Sequence, residues 1–262
     1  MMITELWTYR KFIFSTAVND IRYRYAGSMF GVFWNVFNPL AQIIVYTFVF
    51  SQIMVARLPE LESTFTFAIY LCSGLLPWIS YSETILRGTT SLIENSTYLK
   101  KLPIPEQIFV AQTTISSTLS LGISMILLLL ISIVLQRNLA LSWISLPVVL
   151  MLFQGSAFGI SLTLSCLNVF FRDIGQLMGI ALQMWMWMTP IVYVKDILPL
   201  SFQKLIMLNP ASQYIEALHG IVVFGEFPAI YQWLYMLSFT TFFILLGLFI
   251  MHILRKEIRD VL

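Results

Sequence analysis

Few side chains in this sequence could carry out covalent chemistry. The histidines are His219 and His252 alone, and no group of cysteines and histidines has the spacing of a zinc site. Ser156, which follows a glycine, has the most motif-like context for a nucleophile, but it would need a histidine beside it. The charge pattern places Ser156 in the middle of a membrane span and both histidines at other depths. We therefore disfavour a membrane-embedded serine hydrolase and predict no catalytic residue and no metal site.

Nucleotide-binding loops are absent from the sequence as well. Neither G-x-x-x-x-G-K-[ST] nor G-x-G-x-x-G, the glycine-rich patterns that cradle phosphate groups, occurs in the chain. Any work driven by ATP would therefore require a separate protein that binds the nucleotide. An ion-coupled pump is also disfavoured, because the apolar segments hold almost no ionisable residue. The exception is Glu83, and Arg87 lies four residues on, where it can form a local ion pair.

The elements that must position any functional residue are membrane-spanning helices. The chain has 262 residues, 58% hydrophobic and 11% charged, whereas about a quarter are charged in a soluble domain. Six stretches of 20 or more residues lack any charge, and about 20 apolar residues cross the hydrocarbon core as a helix. The sequence therefore predicts an all-α integral membrane protein with one domain, residues 1–262. The predicted spans are 33–55, 64–86, 108–135, 142–168, 174–194 and 230–253.

Lysine and arginine are distributed unevenly between the two sides of these spans. Eleven lie on the side that holds both termini, and four lie on the other. Because basic residues are enriched in cytoplasmic segments, both termini are predicted to be cytoplasmic. The net charge of +2 reflects this topology, so we predict no nucleic-acid partner.

Three segments outside the spans have helical patterns. Residues 5–20 place apolar side chains on one stripe, which predicts a helix lying in the headgroup plane rather than a frayed tail. Residues 91–102 predict a short cytoplasmic helix ended by two prolines, although a solvated loop also fits so short a pattern. Residues 196–229 are apolar but broken at Asn209-Pro210. They predict two short helices that re-enter the outer leaflet or lie on it, with an extracellular cap as the alternative.

Aromatic side chains are frequent in the predicted spans. Flat apolar rings with polar edges suit the faces of sugars, and they suit lipid and the interfacial belts equally well. Trp185 and Trp187 lie two positions apart, on nearly opposite faces of a helix, so at most one of them could line a given passage.

Glycines four residues apart predict close packing of helices, because a small side chain lets two backbones approach. We interpret these glycines as packing sites rather than ligand sites. The pairs are Gly27 with Gly31, Gly155 with Gly159, and Gly175 with Gly179.

Five stretches of the sequence carry a resemblance to a known family. They are RYRYAGSMFGVFWNVFNPL (22–40), GLLPWISYSETI (74–85), YLKKLPIP (98–105), NVFFRDIGQLMGIALQMWMWMTPIVY (168–193) and LNPASQYIEALHGIV (208–222). Together, and in this order, they resemble the membrane permeases of ABC exporters for bacterial surface polysaccharides. The likeness is strongest to the O-antigen exporters, with capsule and teichoic-acid exporters as relatives.

The resemblance implies a homodimer in the bacterial inner membrane that pairs with two copies of an ATPase subunit, which would bind the ATP and Mg. The chain itself would need no cofactor. A lipid-linked glycan would pass outward through a channel at the dimer axis. Residues 5–20 would lie against the ATPase, 91–102 would be the coupling helix that docks into it, and 197–222 would form outer gate helices. A non-transporting membrane scaffold is the alternative from another class.

Candidate residues follow from these implied roles. The channel candidates are Phe30, Trp34, Phe37, Tyr46, Phe50, Tyr81, Trp185 and Trp187. Arginine binds phosphate oxygens through paired donors, although a topological role alone also explains cations at the inner rim. The candidates for the lipid pyrophosphate are Arg22, Arg24 and Arg172. The candidates for docking the ATPase are Tyr98, Lys100 and Lys101.

Overall fold

The computed structural model describes residues 2–49, 64–135, 140–194 and 199–262. All regular structure within these residues is helical, which confirms the predicted helical fold class. The α-helices are α1 (Met2–Thr8), α2 (Arg10–Arg24), α3 (Trp34–Phe48), α4 (Thr64–Glu94), α5 (Ser96–Lys101), α6 (Gln107–Val134), α7 (Leu146–Phe170), α8 (Ile174–Trp187), α9 (Leu200–Met207), α10 (Pro210–His219) and α11 (Ile230–Val261). Short 3-10 turns occupy Gly31–Phe33 and Leu141–Ser145, and a π-helical turn, Gly220–Phe224, extends α10.

Four helices among the described residues are long and apolar enough to cross a membrane: α4, α6, α7 with the turn before it, and α11. They overlap the predicted second, third, fourth and sixth spans. The helices α3 and α8 lie within the predicted first and fifth spans but have 15 and 14 residues. That is roughly 22 Å of helix, less than the roughly 30 Å of a hydrocarbon core. The protein is multi-pass, and the count of six spans stays a prediction; residues 50–55 lie outside the described part.

The segments predicted outside the spans are helical and differ in their bounds. The predicted helix at 5–20 is divided between α1 and α2 at Tyr9. In the predicted helix at 91–102, the first residues belong to the end of α4, and α5 forms a separate turn and a half. The break expected at Asn209-Pro210 separates α9 from α10.

The helix α7 packs against α4 on one side and α11 on the other, so it forms the centre of the bundle. Glycine allows α7 and α11 to approach closely. A Cβ atom on Gly247 would lie 2.6 Å from the carbonyl oxygen of Gly159, and one on Gly155 would lie 3.0 Å from Thr240 Cγ2. The predicted role in close helix packing is therefore confirmed for Gly155 and Gly159.

The same interpretation is wrong for Gly27 and Gly31. Their φ angles are +83° and +50°, and they lie in the turns between α2 and α3 rather than along a packed helix. Glycine is favoured there because other residues are strained in this left-handed conformation. In the pair Gly175 and Gly179, a Cβ atom on Gly179 would meet no atom of this chain within 4 Å, and one on Gly175 would lie 3.5 Å from Thr90 Cγ2, an ordinary contact distance.

Candidate functional site

A group of four charged side chains and one hydroxyl joins the helices α2, α4 and α6. We call it the Asp20 cluster: Asp20 and Arg24 from α2, Glu83 and Arg87 from α4, and Ser116 from α6. Arg87 Nη2 lies 2.7 and 2.8 Å from the two carboxylate oxygens of Asp20. Ser116 Oγ donates to Asp20 over 2.6 Å and accepts from Arg24 over 2.8 Å. Arg24 also pairs with Glu83.

Charge balance explains why this group is stable at the edge of an apolar bundle. Two carboxylates face two guanidinium groups, and the side chains are 19–31% exposed. Burial raises the pKa of Asp20, but the hydrogen bonds from Ser116 and Arg87 and the positive charges of Arg87 and Arg24 together outweigh burial, so the pKa lies below its ordinary value. The cluster therefore holds α2 against α4 and α6 with a charged Asp20 at neutral pH. The local pair that the sequence predicts is present, with Arg87 Nη1 3.5 Å from Glu83 Oε1.

A second ionic group, the Glu106 clamp, lies next to α5. It consists of Glu5, Glu106, Gln107, Arg255 and Arg259. The Glu106 side chain is fully buried; Arg255 Nε lies 2.9 Å from its Oε2, and Arg259 Nε donates to its Oε1. Gln107 Nε2 donates to Glu5 over 2.6 Å. The clamp thus joins α1, the start of α6 and the carboxyl end of α11.

The helix α5 presents the three docking candidates to solvent. Tyr98, Lys100 and Lys101 are exposed, whereas Leu99 is 4% exposed and packs with side chains of α4, α6, α7 and α11. After α5, Leu102 becomes extended before Pro103, which ends the helix. The backbone carbonyl of Ile104 then accepts a hydrogen bond of 3.1 Å from Arg259. The exposed basic and aromatic side chains of α5 are therefore held on the bundle by the buried Leu99 and by the hydrogen-bonded loop that follows α5.

The aromatic candidates of the first predicted span form a small exposed cluster. Phe30, Trp34 and Phe37 contact one another edge to face, with ring centroids 5.6–6.3 Å apart. All three are exposed within this chain, and Tyr46 is half-buried. Phe50 lies outside the described residues.

The other aromatic candidates occupy different environments. Tyr81 is 1% exposed and stacks on Phe153 with centroids 4.1 Å apart, so it belongs to the core of the subunit. Trp185 is half-buried, and its indole donates a hydrogen bond to Asn209. Trp187 is exposed. The predicted separation of Trp185 and Trp187 onto different faces agrees with these placements.

The three arginines proposed for a lipid pyrophosphate are not equivalent. Arg22 and Arg172 are exposed, whereas Arg24 is held by Asp20 and Glu83. An incoming phosphate would have to displace a carboxylate from Arg24, but it would meet Arg22 and Arg172 at the surface.

Sequence reasoning missed most of the two ionic groups, although part of the signal was present. Asp20 with Arg24, like Glu83 with Arg87, is an acid followed four residues later by a base, the spacing of a pair on one helix face. Two such pairs on neighbouring elements could have predicted a cluster.

Ser156 donates to the carbonyl of Phe153 in its own helix over 2.7 Å. In the described part of the chain, no three histidine, cysteine or acidic side chains are placed to hold a metal ion.

Comparison with known proteins identifies clear relatives. The sequence pattern of the family described as ABC-2 type transporter matches residues 13–223. The O-antigen export system permease protein RfbA of Klebsiella pneumoniae is 26% identical over 245 residues, which cover 93% of this chain and 92% of that protein. The protein of the same name from Myxococcus xanthus is 26% identical over 229 residues, covering 87% and 86% of the two chains.

Proposed function

This chain belongs to the ABC-2 type transporter family, and we propose that it is the channel-forming membrane subunit of an ATP-driven polysaccharide exporter. Its substrate would be a lipid-linked polysaccharide of the O-antigen class, moved outward across the bacterial inner membrane. The names of the Klebsiella and Myxococcus relatives support this substrate class. The chain lacks both glycine-rich nucleotide loops, so a separate ATPase would bind ATP and Mg and hydrolyse the nucleotide.

The exposed helix α5 is the observation that carries the proposal. Tyr98, Lys100 and Lys101 project from a helix whose only buried side chain is Leu99. A short helix with exposed basic side chains suits an acidic groove on a partner protein, because charge complementarity orients two proteins as they associate. We assign α5 as the coupling helix that docks into the ATPase.

Motion of the ATPase can reach the membrane helices through the contacts around α5. Leu99 belongs to a buried apolar cluster that includes Leu92, Phe109 and Met251, which lie on three long helices. The Glu106 clamp ties the loop after α5 to the end of α11. The Asp20 cluster ties α2, which would also lie against the ATPase, to α4 and α6. If the ATPase displaced α5 or α2, the displacement would therefore move the packed helices of the bundle rather than a loose loop.

The exposed faces of α3 and α8 fit a channel shared by two copies of the chain. Both helices leave large apolar and aromatic side chains uncovered, among them Trp34, Phe37, Ile180 and Trp187. In a homodimer with both termini cytoplasmic, these faces would meet lipid, the second copy or the glycan. Many weak contacts with sugar rings would let a polymer slide, whereas tight ones would trap it. Arg22 and Arg172 would meet the pyrophosphate at the inner rim.

Copurification with the ATPase tests this proposal. The wild-type chain and a Lys100→Glu variant are expressed with the ATPase encoded beside the chain's gene, and the bound ATPase is quantified. We expect Lys100→Glu to lower the bound ATPase by about tenfold, since a reversed charge is repelled at a complementary interface. Lys256→Glu, an exposed change on α11, is the matched control and should retain binding. A wild-type chain that binds no ATPase would favour the non-transporting scaffold.

A further inference from the structure

We propose that Asn209 is a positioning residue that joins the carboxyl end of α8 to the amino end of α10, so that the two helices move together during export. The inference rests on the proposed function, in which α8 borders the passage and α10 lies at its outer end. It assigns a coupling role to a side chain that the sequence indicates only as a helix break.

One side chain caps two helices here. Asn209 precedes α10, and its Oδ1 accepts a hydrogen bond from the backbone N–H of Ala211 over 3.1 Å, while Pro210 occupies the first helical position. Its Nδ2 donates to the carbonyl oxygen of Met188 over 3.0 Å, where α8 ends. The backbone groups at a helix end otherwise lack partners, so both helices are completed by the same amide.

The amide is also held from its other sides. The indole N–H of Trp185 donates to Asn209 Oδ1 over 2.7 Å, and Asn209 Nδ2 donates to Thr189 Oγ1 over 2.9 Å. Thr189 in turn donates to the carbonyl of Trp185 over 2.8 Å. Asn209 thus uses two donors and two acceptor positions, the full capacity of a side-chain amide. Donors surround its oxygen and acceptors its nitrogen, so the orientation is fixed.

This joint matters because α8 is otherwise loosely packed. Leu182 is its one buried side chain, and a groove of about 440 Å³ separates it from α4 between Trp78 and Met186. At its inner end, the N–H of Gly175 donates to Asn168 Oδ1 over 3.1 Å. Besides Leu182, the ring of Trp185 contacts Trp78 and Tyr81 of α4 edge to face. A helix held by a side-chain amide at each end and by these contacts along one side can shift as a rod.

The helix α10, by contrast, is well packed. Most of its side chains are buried, and Tyr214 donates to the carbonyl of Met236 on α11 over 2.9 Å. A shift of α8 would therefore either carry α10 with it through Asn209 or break the joint. If α8 lines the passage, a shift of α8 widens the middle of the passage, and the Asn209 joint moves α10 at the same time and so opens the outer end of the passage.

The variant Asn209→Asp tests the joint selectively. The carboxylate keeps the acceptor for Trp185 and Ala211 but loses both donated hydrogen bonds, and it faces the Met188 carbonyl instead. The measurements use the complete complex of this chain and its ATPase. We expect the rate of ATP hydrolysis to stay within about twofold of wild type. The amount of polysaccharide exported per ATP should fall by about fivefold or more, which is the low end of typical coupling between two sites.

Two milder variants decide the question if Asn209→Asp does not fold. Thr189→Val keeps the side-chain shape and removes the hydrogen bond from Asn209 together with the one that Thr189 donates to Trp185. Trp185→Phe keeps an aromatic ring and removes the indole hydrogen bond to Asn209. Each variant should lower export per ATP by about twofold or more. Trp143→Phe is the matched control, because the Trp143 indole N–H is buried without a hydrogen bond. Wild-type export per ATP in all folded joint variants would overturn the inference and leave the proposed function standing. Absence of export by the wild-type complex would instead refute the proposed function.

Discussion

The Asp20 cluster makes a quantitative prediction about the attachment of α2. Replacing Asp20 by Asn removes the charge that two arginines and Ser116 contact. Each hydrogen bond to a charged group contributes about 1.5–3 kcal/mol when buried, and the partial exposure of this cluster lowers that figure. Since Asn retains one acceptor, we expect the free energy that holds α2 on the bundle to fall by about 2 kcal/mol.

Hydrogen exchange measures this change directly. A loss of about 2 kcal/mol should speed exchange of the α2 amides by about 30-fold if α2 exchanges through local opening. The peptides of α11 should be unaffected, and Asp260→Asn, an exposed change, is the matched control. Identical α2 exchange in wild type and Asp20→Asn would refute the conclusion that the cluster holds α2.

The same variant has a defined pH dependence. The pKa of Asp20 in the folded chain lies below its ordinary value of about 3.9. A lowered carboxyl pKa stabilises the fold at every pH above the ordinary value, and the stabilisation is lost as pH falls through the lower, folded-state pKa. The difference between wild type and Asp20→Asn should therefore be constant between about pH 7 and 5 and should shrink below about pH 4.

The remaining predictions concern the clamp and the helix crossing. Glu106→Gln should destabilise the protein by about 1–3 kcal/mol, because it takes the countercharge from Arg259 and leaves Arg255 with only Glu5, 3.9 Å away, although both arginines keep some solvent contact. Chemical unfolding in micelles measures this change, with exposed Glu257→Gln as the control. Equal stability of the two variants would contradict the prediction. Gly247→Leu should abolish correct folding, since even a Cβ atom meets the Gly159 carbonyl; Gly122→Leu, where space is open, should fold, and monodisperse Gly247→Leu would contradict the proposed helix contact.

The long helices were predictable from the sequence because burial in lipid leaves a strong mark. Charges are excluded wherever a helix crosses the membrane, so gaps such as 107–136 and 227–254 locate α6 and α11. The absence of charge does not show at which residue a helix begins or ends. It extends the predicted fifth span to residue 194, whereas α8 ends at Trp187, because the apolar residues that follow form turns.

Contacts between distant residues were not predictable in the same way. Glu106 lies beside a proline in a polar stretch, and only the fold places Arg255 and Arg259 against it. Asn209 before proline predicts a helix start, but its bonds to Met188 and Thr189 depend on the return of the chain to α8. Gly27 and Gly31 have the spacing of a helix contact, and nothing local shows that the backbone turns there.

The location of the glycan tests the central claim most directly. In cells that make the lipid-linked polysaccharide, the fraction on the cytoplasmic side is measured with this gene deleted, with wild type restored and with Lys100→Glu restored. The account predicts stranded polysaccharide after deletion, outward transfer with wild type, and little transfer with Lys100→Glu. Normal outward transfer in the deleted strain would contradict it.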